Sequence, residues 1–279
     1  MGQSKIEWCD KVWNPITGCS PISEGCEHCW AKRMANRLRG RYGYPQDEPF
    51  RVTFHPDRLT EPRNWKKTAK IFVCSMGDLF HDDVDFDSID EIMQVIAETN
   101  HTFMMLTKRP LRMKRYFAYY EHNEAILPDN LWLGVSCENQ ARADERIPIL
   151  LQIPAAVRFV SLEPMLGPIS LQEPWKLIGG KKDYLKFPGA QCINWVIPGG
   201  ETGPGARPLH PDWVRSVRDQ CQAAGVPFFF KGWGEWAPQL VTIPRSTIPA
   251  AETPYIFKER GKKTAGRLLD GRTWEEYPK

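Results

Sequence analysis

Apolar runs of four to six residues recur along most of this chain, and each run ends in a polar turn that often contains glycine. Six such runs lie at residues 70–78, 102–110, 131–139, 157–164, 193–201 and 227–234. Helix-like patterns fill the segments at residues 88–99, 111–120, 141–153 and 212–224. Continuously apolar strands that alternate with helices are typical of parallel sheets buried on both faces. With one more strand near the N-terminus, the pattern predicts an α/β fold of about seven strands, a complete or partial (β/α) barrel of the TIM type. A doubly wound open sheet is the alternative.

The length and composition of the chain suit one large domain, because 279 residues with 42% hydrophobic content can bury a substantial core. We expect this domain to cover residues 1–237, with an insertion at residues 170–191 and an irregular basic extension at residues 238–279. No apolar run reaches the length of a membrane span, and the N-terminus has no signal-peptide pattern. We therefore expect a cytoplasmic protein with no membrane partner.

Three cysteines lie close together in the loop at residues 19–29, in the spacing C-x6-C-x2-C, and a basic helix-forming segment follows them to about Arg41. Clustered thiols in a reducing compartment are typical of metal ligands. Cys19, Cys26 and Cys29 are predicted to hold a [4Fe–4S] cluster that has one iron free to bind a further ligand. The alternatives are a zinc site completed by His28 or a distant cysteine, and three unrelated thiols. The other five cysteines are scattered along the sequence, and most are expected to be ordinary buried residues.

Polar or charged residues follow six successive predicted strands, and parallel strands bring their carboxyl ends to one edge of the sheet. We expect these side chains to surround the cysteine loop and to bind a zwitterionic ligand, of which S-adenosylmethionine (SAM) is an example. The candidates for cofactor binding are Ser75, Asp78, Thr107, Lys108, Ser136, Glu163 and Glu201. The candidates for substrate binding are Arg109, Arg207, Lys231 and Trp233, and the strand ends also carry Glu138 and Glu235.

The positive charge is uneven, although the net charge is only +3. Residues 31–70 hold eleven Lys or Arg against four Asp or Glu, and residues 258–272 hold six against two. Such stretches suit a polyanion, and Trp233 and Trp236 could stack on a base. A solvated surface and a core role for the tryptophans are the alternatives. The glycine-rich residues 199–205 allow two interpretations, a flexible loop or a backbone that approaches a ligand closely.

Six motifs in order resemble those of a phage and bacterial family that is known by its three-cysteine motif. They are WNPITGC at residues 13–19, CEHCWA at 26–31, SMGDLFH at 75–81, LTKRP at 106–110, GVSCEN at 134–139 and SLEPMLGP at 161–168. The resemblance covers about residues 5–236. This family in turn resembles radical-SAM enzymes, with spore photoproduct lyase-like proteins as its nearest branch. The spacing differs from the usual C-x3-C-x2-C of those enzymes in its first gap.

The resemblance implies a radical-SAM barrel in which Asp78, Thr107 and Lys108 contact SAM. It also implies an isomerase, lyase or base-modifying activity that begins with one-electron cleavage of SAM. We expect the substrate to be a nucleotide or a base, such as a modified pyrimidine in phage DNA. The expected partners are DNA and a reductase or flavodoxin that donates the electron, in the host cytoplasm for a phage-encoded chain. The competing hypothesis is a zinc-containing nucleic-acid-binding protein without catalysis.

Overall fold

The computed structural model describes residues 4–122, 127–171, 184–185, 192–240 and 255–279. The described strands are β1 (Lys11–Trp13), β2 (Ile16–Thr17), β3 (Thr53–Phe54), β4 (Lys70–Val73), β5 (Thr102–Thr107), β6 (Leu131–Ser136), β7 (Val157–Leu162), β8 (Trp195–Pro198), β9 (Trp236–Leu240) and β10 (Tyr255–Glu259). The described helices are α1 (Trp30–Arg37), α2 (Phe86–Ala97), α3 (Pro110–His122), α4 (Gln140–Leu150), α5 (Pro211–Ala224) and α6 (Lys262–Ala265). No helix in these ranges is long and apolar enough to cross a membrane.

Six of the strands form one parallel sheet in the order β1-β4-β5-β6-β7-β8, with helices flanking it. A further extended segment at residues 227–232 runs parallel to β8, where the Phe229 amide donates to the Val196 carbonyl at 2.9 Å. The prediction of a parallel α/β fold is thus confirmed. The basic helix is shorter than expected, because it ends at Arg37 and the chain then turns through Gly40 and Gly43, which both have positive φ.

Both faces of the sheet are buried, which explains why the strands read as continuous apolar runs. The helix-covered face carries residues such as Val73, Met105 and Val135. The opposite face carries an aromatic-rich cluster of Trp8, Cys9, Met104, Phe159, Trp195, Ile197 and Phe229.

The sheet is strongly curved around this aromatic cluster. The ring of Trp8 lies 4.7 Å from that of Phe72 on β4 and 6.2 Å from that of Trp195 on β8. Four strand spacings separate β4 from β8, which would be about 19 Å in a flat sheet. The two edges of the sheet therefore approach each other, but among the described residues no hydrogen bonds join β1 to residues 227–232.

The C-terminal residues fill the hollow of the curved sheet. Tyr277 packs its ring 5.1 Å from Trp195 and 5.4 Å from Phe229, and the Trp195 indole N–H donates to the Glu276 carbonyl at 2.8 Å. Strands β9 and β10 pair as an antiparallel ribbon. Residues 255–279 are therefore more regular than the extension predicted for residues 238–279, while residues 241–254 lie outside the described part. Most of the predicted insertion also lies outside it, since only residues 170, 171, 184 and 185 of that stretch are described.

Candidate functional site

The cysteine loop lies against the carboxyl end of β4. Gly18 bridges to Gly77, and its amide donates to the Met76 carbonyl at 2.9 Å. Gly18 has φ +89°, and a Cβ there would lie 2.2 Å from the Arg51 carbonyl oxygen, so no larger residue fits at the entry to the loop. At its other end Cys29 is the N-cap residue of α1. The chain thus holds the loop at the edge where the parallel strands end.

Two consecutive cations after β5 reach the thiols of this loop. The Lys108 ammonium lies 3.6 Å from the Cys26 sulfur and 3.3 Å from the Ser23 hydroxyl. The Arg109 guanidinium donates to the Cys19 sulfur at 3.3 Å and to the Ser20 carbonyl at 3.0 Å. Lys108 was predicted to contact the cofactor and Arg109 to contact the substrate, and both side chains lie at the cysteine loop.

The buried carboxylate of Asp78 forms hydrogen bonds that hold these two cationic residues in place. It accepts hydrogen bonds from the Thr107 hydroxyl at 2.7 Å, the Lys108 amide at 3.2 Å and the Arg109 guanidinium at 3.3 Å. It also accepts one from the Phe80 amide at 3.0 Å, and its residue is only 6% exposed. Asp78 and Thr107 were both predicted to contact the cofactor. In the structure their side chains form hydrogen bonds that fix the turn carrying Lys108 and Arg109.

The thiols of Cys26 and Cys19 have opposite electrostatic surroundings. Burial raises the pKa of Cys26, but the Lys108 ammonium and nearby hydrogen-bond donors outweigh it, and the net pKa lies below the ordinary thiol value. Burial, together with the negative charge of Asp78, raises the pKa of Cys19 to about 11 despite the Arg109 contact. Cys26 is therefore the thiol that loses its proton more readily.

Glu138, which follows β6, is a buried carboxylate, and one of its oxygens accepts no hydrogen bond from the described residues. Its Oε2 accepts from Arg146 at 3.0 Å, whereas its Oε1 has no hydrogen-bond partner among the described atoms and lies 3.7 Å from the Lys108 ammonium. A Cβ at Gly25 would lie 2.7 Å from that ammonium and 3.1 Å from the Glu138 carboxyl carbon. The cysteine loop therefore approaches this pair closely, and Glu138 has a free acceptor beside the thiols. Its neighbour Ser136, the predicted contact, is buried, and its carbonyl accepts from Arg146 at 2.7 Å.

Glu201 and Arg207 hold the cysteine loop from the opposite side. The Arg207 guanidinium pairs with Glu201 at 2.7 Å and donates to the Glu24 carbonyl at 3.0 Å and to the Glu27 carboxylate at 3.0 Å. Glu24 is also bound by the side chains of Asn139 and Arg142 at the start of α4. The predicted cofactor and substrate roles of Glu201 and Arg207 thus fall on residues that fasten the loop to the sheet.

The glycine-rich residues 199–205 make room for protein groups. A Cβ at Gly203 would lie 2.0 Å from the Arg33 guanidinium, and one at Gly205 would lie 2.8 Å from the His28 ring. Arg33 also donates to the Thr202 carbonyl at 2.8 Å. The close approach that these glycines permit is therefore an approach of the cysteine loop and α1.

The remaining predicted residues lie farther round the edge of the sheet. Lys231 forms an ion pair with Glu163, and the Ser75 hydroxyl donates to the Asn14 side chain at 3.2 Å. Trp233 is 7% exposed, packs 4.9 Å from the Phe230 ring and donates its indole N–H to the Leu268 carbonyl. Trp236 donates to the Ala206 carbonyl. Of the two hypotheses for Trp233, the core role is the one that fits, because its buried ring has no exposed face on which a base could stack.

The three cysteines of the loop are partly exposed, in contrast to most of the other thiols of the chain. Cys9, Cys74, Cys137 and Cys221 are buried, and burial raises the pKa of each. Within the described ranges no group of three or more His, Cys, Asp or Glu side chains is arranged to hold a single metal ion. The three loop cysteines are therefore not gathered as ligands of one zinc ion. A four-iron cluster takes each thiolate on a different iron and needs a wider arrangement.

Comparison with known proteins adds a family relationship. No curated protein and no solved structure matches the chain. A family model described as "Protein of unknown function (DUF5131)" matches residues 3–278. Because this match extends over nearly the whole chain, the protein belongs to the DUF5131 family.

Proposed function

We propose that this protein is a radical-SAM enzyme in which Cys19, Cys26 and Cys29 hold a [4Fe–4S] cluster. The observation that carries the proposal is the delivery of one cation to each of two thiol sulfurs, by Lys108 and Arg109, at the carboxyl edge of a parallel sheet. Catalytic sites of (β/α) barrels lie at this edge. The curvature of the sheet supports a partial barrel as the architecture.

The residues of the loop fit such a cluster in charge and in number. Three thiolates on a cluster form an anionic group, which the two cations and the N-terminus of α1 at Cys29 stabilise. No other cysteine of the described chain takes part, which leaves a fourth position open for a ligand. When bound and reduced, the cluster supplies the electron that cleaves SAM and yields a 5′-deoxyadenosyl radical.

The protein contributes orientation and shielding to this chemistry. Glu138 has the free, buried carboxylate oxygen that can accept the ammonium group of SAM, and Lys108 beside it can pair with the SAM carboxylate. Trp8 and Tyr277 fill the hollow below and keep bulk water from entering the site through the sheet. Lys231 and Glu163 lie at the end of the last strands, where they can contact the substrate.

The proposed substrate is a nucleobase in a nucleotide or in DNA, modified in the cytoplasm with an electron from a reductase or flavodoxin. The basic α1 supports this class because Cys29 is its N-cap residue, so its cations directly follow the cysteine loop.

The test is anaerobic reconstitution of the parent protein and of the single variants Cys19→Ala, Cys26→Ala and Cys29→Ala. We expect iron and sulfide contents near four per chain in the parent and a large loss in each variant, with dithionite-dependent release of 5′-deoxyadenosine from SAM in the parent alone. Cys192→Ala is the matched control, because Cys192 is a partly exposed thiol outside the loop. Near-normal iron in any loop variant removes that residue from the ligand set, and zinc without iron in the parent refutes the proposal.

A further inference from the structure

The segment that follows the cysteine loop, residues 30–42, carries exposed cations and exposed aromatic rings. These residues are Trp30, Lys32, Arg37, Arg41 and Tyr42, which we call the α1 surface. Trp30 is 47% exposed and Tyr42 is 76% exposed, the latter being the highest value among the large hydrophobic side chains described. Ordinary surfaces scatter such residues singly, so their grouping with cations needs an explanation.

Within the described ranges Lys32, Arg37 and Arg41 of the α1 surface form no ion pair. Residues 30–46 contain no Asp or Glu, and the nearest carboxylates in the sequence are Glu27 before this stretch and Asp47 after it. The second basic stretch differs, because Lys262 pairs with Glu7 at 2.7 Å and Arg267 pairs with Glu275 at 2.8 Å. The positive potential that the sequence concentrates in two places therefore remains available to a partner at α1.

Tyr42 is held in an unfavourable backbone conformation that directs its ring into solvent. Its φ is +53°, a region that bulky residues rarely occupy, and it lies between Gly40 and Gly43, which also have positive φ. The Arg58 guanidinium donates to the Tyr42 carbonyl and fixes the turn. Strain of this kind, in a residue that is 76% exposed, is typical of functional contacts.

We infer that the α1 surface binds a single-stranded nucleic acid, with Lys32, Arg37 and Arg41 on phosphates and Tyr42 stacked on an unpaired base. Helix α1 has eight residues and is about 12 Å long, and Arg41 and Tyr42 lie in the turn that follows it. An aromatic ring flanked by cations is the usual arrangement for strand binding without a sequence code. Cys29, the last cysteine of the loop, is the N-cap residue of α1, so the helix that would hold the strand directly follows the cysteine loop.

This inference rests on the proposed function and makes it more specific, since it assigns the substrate base to a polynucleotide instead of a free nucleotide. A single strand is favoured over a duplex because a base must leave the stack before Tyr42 or an active site can reach it.

The experiment measures fluorescence anisotropy of labelled 20-residue oligothymidylate over a salt series, with the matching duplex and oligouridylate as further probes. Three phosphate contacts predict a slope of log affinity against log salt of about −2. Lys32→Ala/Arg37→Ala should reduce the slope to about −0.7, with helix formation preserved because alanine is the best helix former. Tyr42→Gly should weaken binding about tenfold at an unchanged slope. Its thermal stability should not fall, because glycine adopts positive φ freely.

The control variants remove the same kinds of side chain, two lysines or one tyrosine, from places away from the α1 surface. Lys66→Ala/Lys67→Ala removes two exposed cations just before β4, and Tyr119→Ala removes an exposed tyrosine from α3. Both should bind like the parent. Equal losses in the controls, a parent slope near zero, or a preference for anionic phospholipid vesicles over oligonucleotides would overturn the inference. If the strand does not bind while SAM cleavage persists, only this inference fails. If the strand binds while the chain takes up no iron, the proposed function fails instead.

Discussion

The contact between Lys108 and Cys26 makes the acidity of one thiol depend on one cation. The ammonium lies 3.6 Å from the sulfur, and the lysine side chain is 16% exposed. A charge-assisted hydrogen bond contributes about 1.5–3 kcal/mol, and one pKa unit corresponds to about 1.4 kcal/mol. We therefore expect Lys108→Gln to raise the pKa of Cys26 by about one to two units. At a fixed pH near neutrality, less thiolate then forms.

The assay is the rate of iodoacetamide alkylation of the metal-free protein as a function of pH, followed at each cysteine by peptide mass spectrometry. In the parent, the midpoint for Cys26 should lie well below that for Cys19, whose pKa is raised to about 11 by burial and Asp78. In Lys108→Gln the Cys26 midpoint should move up by the predicted amount. Lys66→Gln removes an exposed lysine remote from the thiols and should leave the midpoint unchanged.

A second variant distinguishes the effect of the Lys108–Cys26 contact from the effect of the Glu138 carboxylate, which is buried beside Lys108. Lys108→Gln alone leaves the buried Glu138 carboxylate with Arg146 as its one remaining cation among the described residues, whereas Lys108→Gln/Glu138→Gln removes both charges of the Lys108–Glu138 pair. The double variant should retain most of the shift, because the ammonium lies close to the sulfur. An unchanged Cys26 midpoint in both variants would refute the electrostatic reasoning.

Three further predictions concern the site and its support. Glu138→Gln should weaken SAM binding at least about tenfold in anaerobic equilibrium dialysis while iron content stays normal, and an unchanged affinity would remove Glu138 from the site. The pKa of His55 is lowered by burial to about 4, so between pH 6.5 and 4 the unfolded chain takes up a proton that the folded chain does not. The free energy of unfolding, measured in urea, should therefore have its full value above about pH 6.5 and fall by about 2–3 kcal/mol towards pH 4. The variant His55→Gln should show a weaker dependence on pH. Gly203→Ala should lower the melting temperature more than Gly225→Ala does, because both positions have positive φ but only Gly203 has a neighbour, Arg33, that the new Cβ would strike. Equal losses would show that the contact with Arg33 contributes nothing.

The sequence by itself predicted the parallel sheet because its strands must be apolar on both sides wherever helices and an inner cluster cover them. The strand positions predicted at residues 70–78, 102–110, 131–139 and 157–164 correspond to β4, β5, β6 and β7. A curved sheet was implied by the predicted barrel, but the groups that fill its hollow were not predictable, since Trp8 and Tyr277 pack against strands that are far away in the sequence.

The sequence also brought the polar strand ends to the correct edge, but it could not assign their partners. The Arg207 bond to Glu24 joins residues 183 positions apart, and the Lys108 bond to Cys26 spans 82 positions. Local spacing carries no information about such pairs, so the hydrogen bonds that Asp78, Glu201 and Arg207 make within the protein could not be predicted.

Charge and glycine patterns were ambiguous for the same reason. Two basic stretches looked alike in sequence, and only the fold paired Lys262 and Arg267 of the C-terminal one with carboxylates, while the cations of α1 form no ion pair with any described residue. The sequence thus determined the alternation of strands and helices, the three thiols and the edge at which they lie, because these follow from short-range patterns. The tertiary structure alone decided which charges are satisfied, which glycines receive a neighbour and which carboxylate keeps a free oxygen, because each depends on groups brought together from distant parts of the chain.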